Sequence, residues 1–188
     1  GLFDEDEPKN AACAREMLDH GDWVVPSFNE ELRTDKPVLL YWLMMPAYYL
    51  FGVSEFGARF ASALLAVGTV VATYHLGRLL FRAEAGLWGA LAMASALSFG
   101  VVARAATPDS TLICCTTLAL LAYVWSVSRR AENAWQTGES LPLDRPSELR
   151  VTGEELKNII DRFSPHSWLG ALLIYAAMGL GVLAKGPV

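Results

Sequence analysis

The sequence of residues 60–77 reads FASALLAVGTVVATYHLG and contains no Asp, Glu, Lys or Arg. Arg59 and Arg78 flank this 18-residue window directly. A helix needs about 20 apolar residues to cross the hydrocarbon core of a bilayer. The window therefore predicts a transmembrane helix, and similar windows elsewhere decide the fold of the chain.

Three further windows of 18 or 19 residues also lack charged side chains, namely 85–103, 110–128 and 167–184. Small residues such as Gly86, Gly89 and Ala90 are frequent in them, which suits close packing of helices in lipid. We therefore expect an all-α integral membrane protein with about four transmembrane helices. Three lie within residues 57–128 and the fourth within residues 167–188.

The overall composition argues against other classes of protein. The chain has 188 residues, of which 53% are hydrophobic and 19% charged, and its mean hydropathy is +0.31. Such a chain is too apolar for an ordinary soluble domain or a disordered tail. Its net charge of −5 offers no attraction to nucleic acid, and its three cysteines are too few for a disulfide scaffold. Among these classes a membrane protein remains. Its expected partner is the lipid bilayer, and no nucleic acid partner is expected.

A fifth uncharged window, residues 37–54, carries Pro46 and several Tyr and Trp side chains. This composition is typical of the membrane–water interface, so we expect a short helix that lies on the membrane and does not cross it. The charged residues at the span ends then divide into two groups. One side holds Arg78, Arg82, Arg129 and Arg130, and the other holds Asp6, Glu7, Asp35, Lys36, Asp109 and Lys185. Positive side chains favour the cytoplasmic side, which places the second group at the outer face.

The segments outside the spans predict smaller elements. Residues 1–56 form an outer loop with two interfacial helices, the first over about 8–19 and the second over 37–54. Residues 129–166 form a cytoplasmic linker, in which Thr152-Gly153-Glu154-Glu155 is typical of a capping box that begins an amphipathic helix. This helix either rests on the inner leaflet or docks a partner. The chain begins without Met and ends at Val188 just after a span, so we expect a fragment with further sequence on both sides.

The outer-face residues suit one kind of chemistry. Charged groups at the edge of a bilayer are costly unless they are hydrated, paired or used. A carboxylate such as Asp6 could act as a general base, two carboxylates could share a divalent metal ion, and a lysine suits a phosphate. Together these groups favour transfer from a phosphorylated lipid. Taken singly, each residue has another interpretation, which is a helix cap, a solvated charge, or a salt bridge such as Asp35 with Lys36.

Five segments at the span boundaries add a resemblance. They are residues 6–26, 35–42 (DKPVLLYW), 57–60 (GARF), 106–109 (ATPD) and 179–186 (GLGVLAKG). In this order they resemble the GT-C membrane glycosyltransferases, which include the protein O-mannosyltransferases and the aminoarabinose transferases acting on lipid A. The resemblance covers nearly the whole chain except residues 129–166. It implies a GT-C-type helix bundle with two outer-leaflet helices, in a bacterial-type inner membrane.

The resemblance also implies roles for single residues. Asp6 matches the first acid of the family's acidic pair, which engages the acceptor or acts as general base, and Glu7 matches its neighbour. Lys36 matches a lysine that approaches the lipid phosphate. Arg59 and Lys185 recur at span ends in the family. For Arg59 the first interpretation is an anchor at the lipid headgroups, and the alternative is a contact with the donor phosphate. For Lys185 a contact with the donor phosphate and a purely structural role are both open.

A metal site is implied as well. Asp35 and Asp109 match two carboxylates that help to bind a divalent metal ion in the aminoarabinose branch, together with a histidine from a later loop beyond Val188. Position 35 carries Asp where that branch has Glu, which shortens the side chain by one methylene. No other cofactor is expected.

The function implied is that of an inverting glycosyltransferase. It takes a sugar from a polyprenyl phosphate on the outer face and passes it to a lipid, glycan or protein acceptor. Two alternatives remain, a transporter or channel subunit and a non-catalytic membrane scaffold. The transporter is disfavoured because the spans carry no ionisable residue in mid-membrane and predict no pair of broken helices.

Overall fold

A computed structural model describes residues 6–29, 31–33, 36–137, 164–165 and 168–186. The helices in these ranges are α1 (Asp6–His20), α2 (Leu39–Phe51), α3 (Glu55–Leu80), α4 (Ala83–Ser95), α5 (Leu97–Arg104), α6 (Asp109–Thr137) and α7 (Trp168–Lys185). Between α1 and α2, the strands β1 (Ser27–Phe28) and β2 (Glu31–Leu32) pair antiparallel, with Ser27 opposite Leu32. The sequence did not predict this hairpin. The predicted capping-box helix after Thr152 lies outside the described residues.

The long helices confirm the membrane-protein class. Three helices of the described chain are long and apolar enough to cross a membrane, namely α3, α6 up to Arg129, and α7. The pair α4 and α5 passes the same test together, which gives up to four spans. Many apolar side chains on these helices, such as Leu64, Val67 and Trp88, point outward and are exposed, as lipid-facing residues must be. The predicted all-α bundle with about four spans is therefore confirmed.

The second span differs from the straight helix expected over 85–103. The chain bends by 66° between α4 and α5. Ala96 is extended (φ −66°, ψ 121°), and its N–H bonds to the Met93 carbonyl in a tightened last turn. The Ser95 hydroxyl donates to the Ala92 carbonyl at 3.1 Å, which competes with the regular backbone ladder. The described chain thus contains one sharply bent helix pair, where the sequence predicted a straight span.

The α1 and α2 helices pack on each other at one end of the bundle, called here the α1–α2 end. Their facing side chains form the main buried apolar cluster, which includes Cys13, Met17, Tyr41, Met44 and Tyr48. With 13 residues, α2 is about 20 Å long, too short to cross a membrane. Lys36, before α2, and Arg59, in α3, both form ion pairs with the start of α1. That α2 lies on the membrane stays a prediction, which its short length favours.

Candidate active site

Six predicted site residues come together as three ion pairs at the α1–α2 end. The pairs are Asp6 with Lys36, Glu7 with Arg59, and Asp109 with Lys185. They join α1 to the segment before α2, α1 to α3, and α6 to α7. Separate parts of the chain therefore meet at one end of the bundle, as the sequence predicted for these residues. Asp35 lies outside the described residues.

Glu7 is a buried member of the site, with only 2% of its side chain exposed. Its Oε2 accepts a hydrogen bond from Arg59 Nη2 at 2.9 Å, and its Oε1 accepts one from Arg59 Nε at 3.3 Å. Oε1 also accepts from the backbone N–H of Ala106 at 2.6 Å. The two-pronged pairing fixes both planar groups relative to each other. Glu7 thus holds α1, α3 and the loop before α6 in one arrangement.

Asn10 contacts the same loop, although none of the sequence motifs predicts a role for it. Its Nδ2 donates a hydrogen bond to the Ala106 carbonyl at 3.1 Å. Glu7 and Asn10 are three residues apart on a helix and therefore share a face with Ala14 and Met17, which are buried in the core. This spacing was the available signal that both polar residues point inward. Together they bind both backbone polar groups of Ala106.

Asp6 lies on another side of α1 and is partly exposed. Its Oδ2 is 3.1 Å from Lys36 Nζ, with 44% of the Asp6 side chain and 29% of the Lys36 side chain exposed. The hydrogen bond from Lys36 lowers the pKa of Asp6, aided by the charges of Arg33 and Lys9 and opposed by partial burial. Asp6 is therefore an accessible carboxylate at neutral pH, beside an accessible cation. Such a pair could accept a proton and hold an anion in adjacent positions.

Asp109 and Lys185 form the third pair at two helix ends. Lys185 Nζ donates to Asp109 Oδ1 at 2.6 Å, and both side chains are partly exposed. Asp109 is the first residue of α6 and Lys185 the last of α7, so each also has the favourable sign for the dipole of its own helix. An exposed lysine held this way could also bind a phosphate oxygen.

The two lysines belong to neighbouring segments. Gly186, which follows α7, has a positive φ of 83°, a conformation that glycine adopts without strain. A Cβ at this position would lie 3.7 Å from Pro37 Cγ. The residue after Lys185 therefore lies close to the residue after Lys36. Both lysines consequently belong to one surface of the α1–α2 end.

The predicted metal site stays a prediction. Within the described ranges, no three His, Cys, Asp or Glu side chains come together in a way that could hold a metal ion. Asp109 is engaged by Lys185, and Asp35 is not described. The described residues do not by themselves make a metal site.

A family model and two solved structures resemble this chain. The model described as dolichyl-phosphate-mannose-protein mannosyltransferase matches residues 35–138, more than half of the chain. The apo structure of ArnT from Cupriavidus metallidurans has a TM-score of 0.71 and 26% identity, covering 98% of this chain and 29% of ArnT. The structure of the same protein bound to undecaprenyl phosphate has a TM-score of 0.73 and 25% identity, covering 98% and 28%.

Curated proteins are also similar to this chain in sequence. An uncharacterized protein of Aquifex aeolicus (strain VF5) is 36% identical over 124 residues, which is 66% of this chain and 29% of that protein. The undecaprenyl phosphate-alpha-4-amino-4-deoxy-L-arabinose arabinosyl transferase of Yersinia pestis (strain Pestoides F) is 41% identical over 81 residues, 43% of this chain and 15% of the enzyme. The chain thus spans less than a third of the length of these relatives.

Proposed function

This chain belongs to the dolichyl-phosphate-mannose-protein mannosyltransferase family, and from that premise we propose that the protein transfers a sugar from a polyprenyl phosphate to a lipid, glycan or protein acceptor. The reaction takes place at the α1–α2 end, which faces the outer side of the inner membrane. The observation that carries the proposal is the pairing of a partly exposed carboxylate, Asp6, with a partly exposed lysine, Lys36, on a fold shared with ArnT. ArnT itself has been solved with undecaprenyl phosphate bound.

The proposed mechanism is a single displacement. The acceptor oxygen or nitrogen attacks the anomeric carbon of the sugar while Asp6 takes its proton. The bond from the anomeric carbon to the phosphate oxygen breaks, and polyprenyl phosphate leaves with the electron pair. Lys36 and Lys185 bind the phosphate and offset the charge that develops on it. Attack opposite the leaving group inverts the configuration of the sugar.

The remaining pair has a supporting role in this proposal. Arg59 and Glu7 already satisfy each other, and Glu7 also binds Ala106. Their geometry favours positioning: they keep Asp6, on the same turn of α1, at a fixed distance from α3 and the loop before α6. A direct contact between Arg59 and the donor phosphate would require Arg59 to share its bonds with Glu7.

The test measures sugar transfer by the full-length protein in membranes supplied with radiolabelled polyprenyl-phosphate sugars. Replacing Asp6 by Asn removes the base and is expected to lower the rate about 100-fold or more. Replacing Lys36 by Ala removes a phosphate ligand and is expected to raise KM for the donor and lower kcat. The matched control is Asp19→Asn, which alters an exposed carboxylate on the same helix and should leave transfer unchanged. A scaffold or transporter would show equal behaviour in all variants.

A pH profile adds a second readout for Asp6. Because Lys36 lowers the pKa of Asp6, the wild-type base stays ionised until the pH falls below the ordinary range of a carboxyl group. In Lys36→Ala that cause is gone, so the pKa of Asp6 rises and protonation begins at higher pH. The acid limb of kcat/KM should move to higher pH in the residual activity of this variant. An unmoved limb would mean that Asp6 is not the titrating base.

A further inference from the structure

Asn10 is buried in a way that does not suit a stabilising role. Its side chain is fully buried, and its Nδ2 bonds to the Ala106 carbonyl at 3.1 Å. Its Oδ1 has no hydrogen-bond partner among the residues that the structure describes. A buried amide whose oxygen lacks a hydrogen bond costs free energy compared with an apolar side chain of similar size. What this asparagine supplies to the site is the position of Ala106.

Ala106 lies three residues before Asp109, at the point where the chain turns from α5 into α6. The Pro108 carbonyl accepts from Leu112 N–H at 3.0 Å in the first turn of α6, and the Ser110 hydroxyl donates to the Val102 carbonyl at 2.8 Å. The intervening chain is therefore short and held at both ends. A shift of Ala106 moves the start of α6, and with it the carboxylate that pairs with Lys185.

We infer that Asn10 is a positioning residue: by holding Ala106 from α1, it sets the place of Asp109, which orients Lys185 toward the phosphate of the donor. The inference rests on the proposed function, because Lys185 is there a ligand of that phosphate. The α1 helix then has a different role on each of two faces. The exposed face presents Asp6, and the buried face sets the position of the second lysine pair.

The experiment measures binding of polyprenyl phosphate to the full-length protein in detergent. Asn10→Ala is expected to weaken binding about five- to tenfold, the size of one lost hydrogen bond. In an Asp109→Asn background, Asn10→Ala should weaken binding by less than about twofold, because the ion pair between Asp109 and Lys185 is already lost. In a Lys36→Ala background, Asn10→Ala should still weaken binding five- to tenfold, because the position of Lys36 does not depend on Asp109.

The matched control is Tyr48→Phe. The Tyr48 hydroxyl donates to the Ala11 carbonyl at 3.3 Å, so this change removes another side-chain bond to the backbone within the same core. Neither residue of this bond belongs to the loop that carries Asp109, so Tyr48→Phe should leave binding unchanged in every background. A purely structural role for Asn10 predicts that the Asn10 and Tyr48 variants behave alike.

A second variant keeps the test decisive if Asn10→Ala folds poorly. In Asn10→Asp, the carboxyl group can donate to the Ala106 carbonyl only when it is protonated, which burial beside Glu7 favours. Binding relative to wild type should therefore recover as the pH falls, while relative binding by Asn10→Ala stays flat.

The outcomes separate the two proposals. Binding that does not respond to Lys36→Ala overturns the proposed donor site. An Asn10→Ala factor that persists in the Asp109→Asn background, or an Asn10→Asp variant without recovery at low pH, overturns the positioning role and leaves the donor site intact.

Discussion

Asp6 and Glu7 are neighbours in sequence but meet different environments, because successive side chains on a helix point about 100° apart. Glu7 faces Arg59 and Ala106 in the core, whereas Asp6 faces Lys36 at the surface. The same functional group is therefore a fixed structural charge at one position and an accessible carboxylate at the next. The register of α1 therefore decides which of the two acids is accessible.

A stability measurement tests the structural charge. Glu7→Gln removes the buried carboxylate that pairs with Arg59, and we expect a loss of about 3 kcal/mol in the free energy of unfolding. The control is Arg15→Gln, which breaks an exposed pair with Asp19 and should cost about 0.5 kcal/mol or less. Denaturant unfolding of the detergent-solubilised protein measures both. Equal losses would contradict a buried structural pair.

The pairing of these side chains shows where sequence reasoning stops. The sequence predicts one end of the bundle for a set of five residues, because charge-free windows fix the span ends. The five are Asp6, Glu7, Lys36, Asp109 and Lys185. Sequence reasoning could not choose partners: the salt bridge considered for Lys36 was with its sequence neighbour, and the described partner is Asp6, 30 positions away. Partner choice depends on how α1 packs, and no local pattern encodes that.

The sequence predicts the membrane-spanning helices better than it predicts the bends within them. An uncharged window of sufficient length marks a span because a charged side chain in hydrocarbon is costly. The bend between α4 and α5 has no such signal, since neither proline nor glycine occupies positions 94–98. It arises at Ser95 and Ala96, where a hydroxyl and an extended residue replace regular helical bonds. Similarly, α6 continues past the expected end of its span to Thr137.

The contact between α3 and α4 gives a prediction about a helix pair. A Cβ on Gly77 would lie 2.7 Å from Gly86 Cα, and a Cβ on Gly86 would overlap the Tyr74 carbonyl. Gly86→Ala must therefore push the two helices apart, and we expect a loss of about 1–3 kcal/mol in unfolding free energy. Gly89→Ala, on the same helix, meets no atom within 4 Å and should be neutral or slightly stabilising. Thermal unfolding in detergent compares them, and similar behaviour would contradict this packing.

The whole molecule has two chemically different ends. Asp6, Lys36, Asp109 and Lys185 gather at the α1–α2 end, while Arg82 lies at the opposite end, in the turn between α3 and α4. The proposed reaction needs the first end on the outer side of the membrane, since there it would meet both the donor and an external acceptor. The orientation of the bundle is therefore as important to the function as the geometry of the ion pairs.

Labelling in spheroplasts tests this orientation. Glu31→Cys introduces a thiol on the exposed β2 strand, and Arg82→Cys introduces one at the opposite end. The natural cysteines of the described chain, Cys13, Cys114 and Cys115, are buried and should give little background. A membrane-impermeant maleimide is expected to label the first variant in spheroplasts and the second only after the membrane is permeabilised. The reverse pattern would place the α1–α2 end in the cytoplasm, and labelling of both without permeabilisation would contradict an odd number of crossings between α2 and α4.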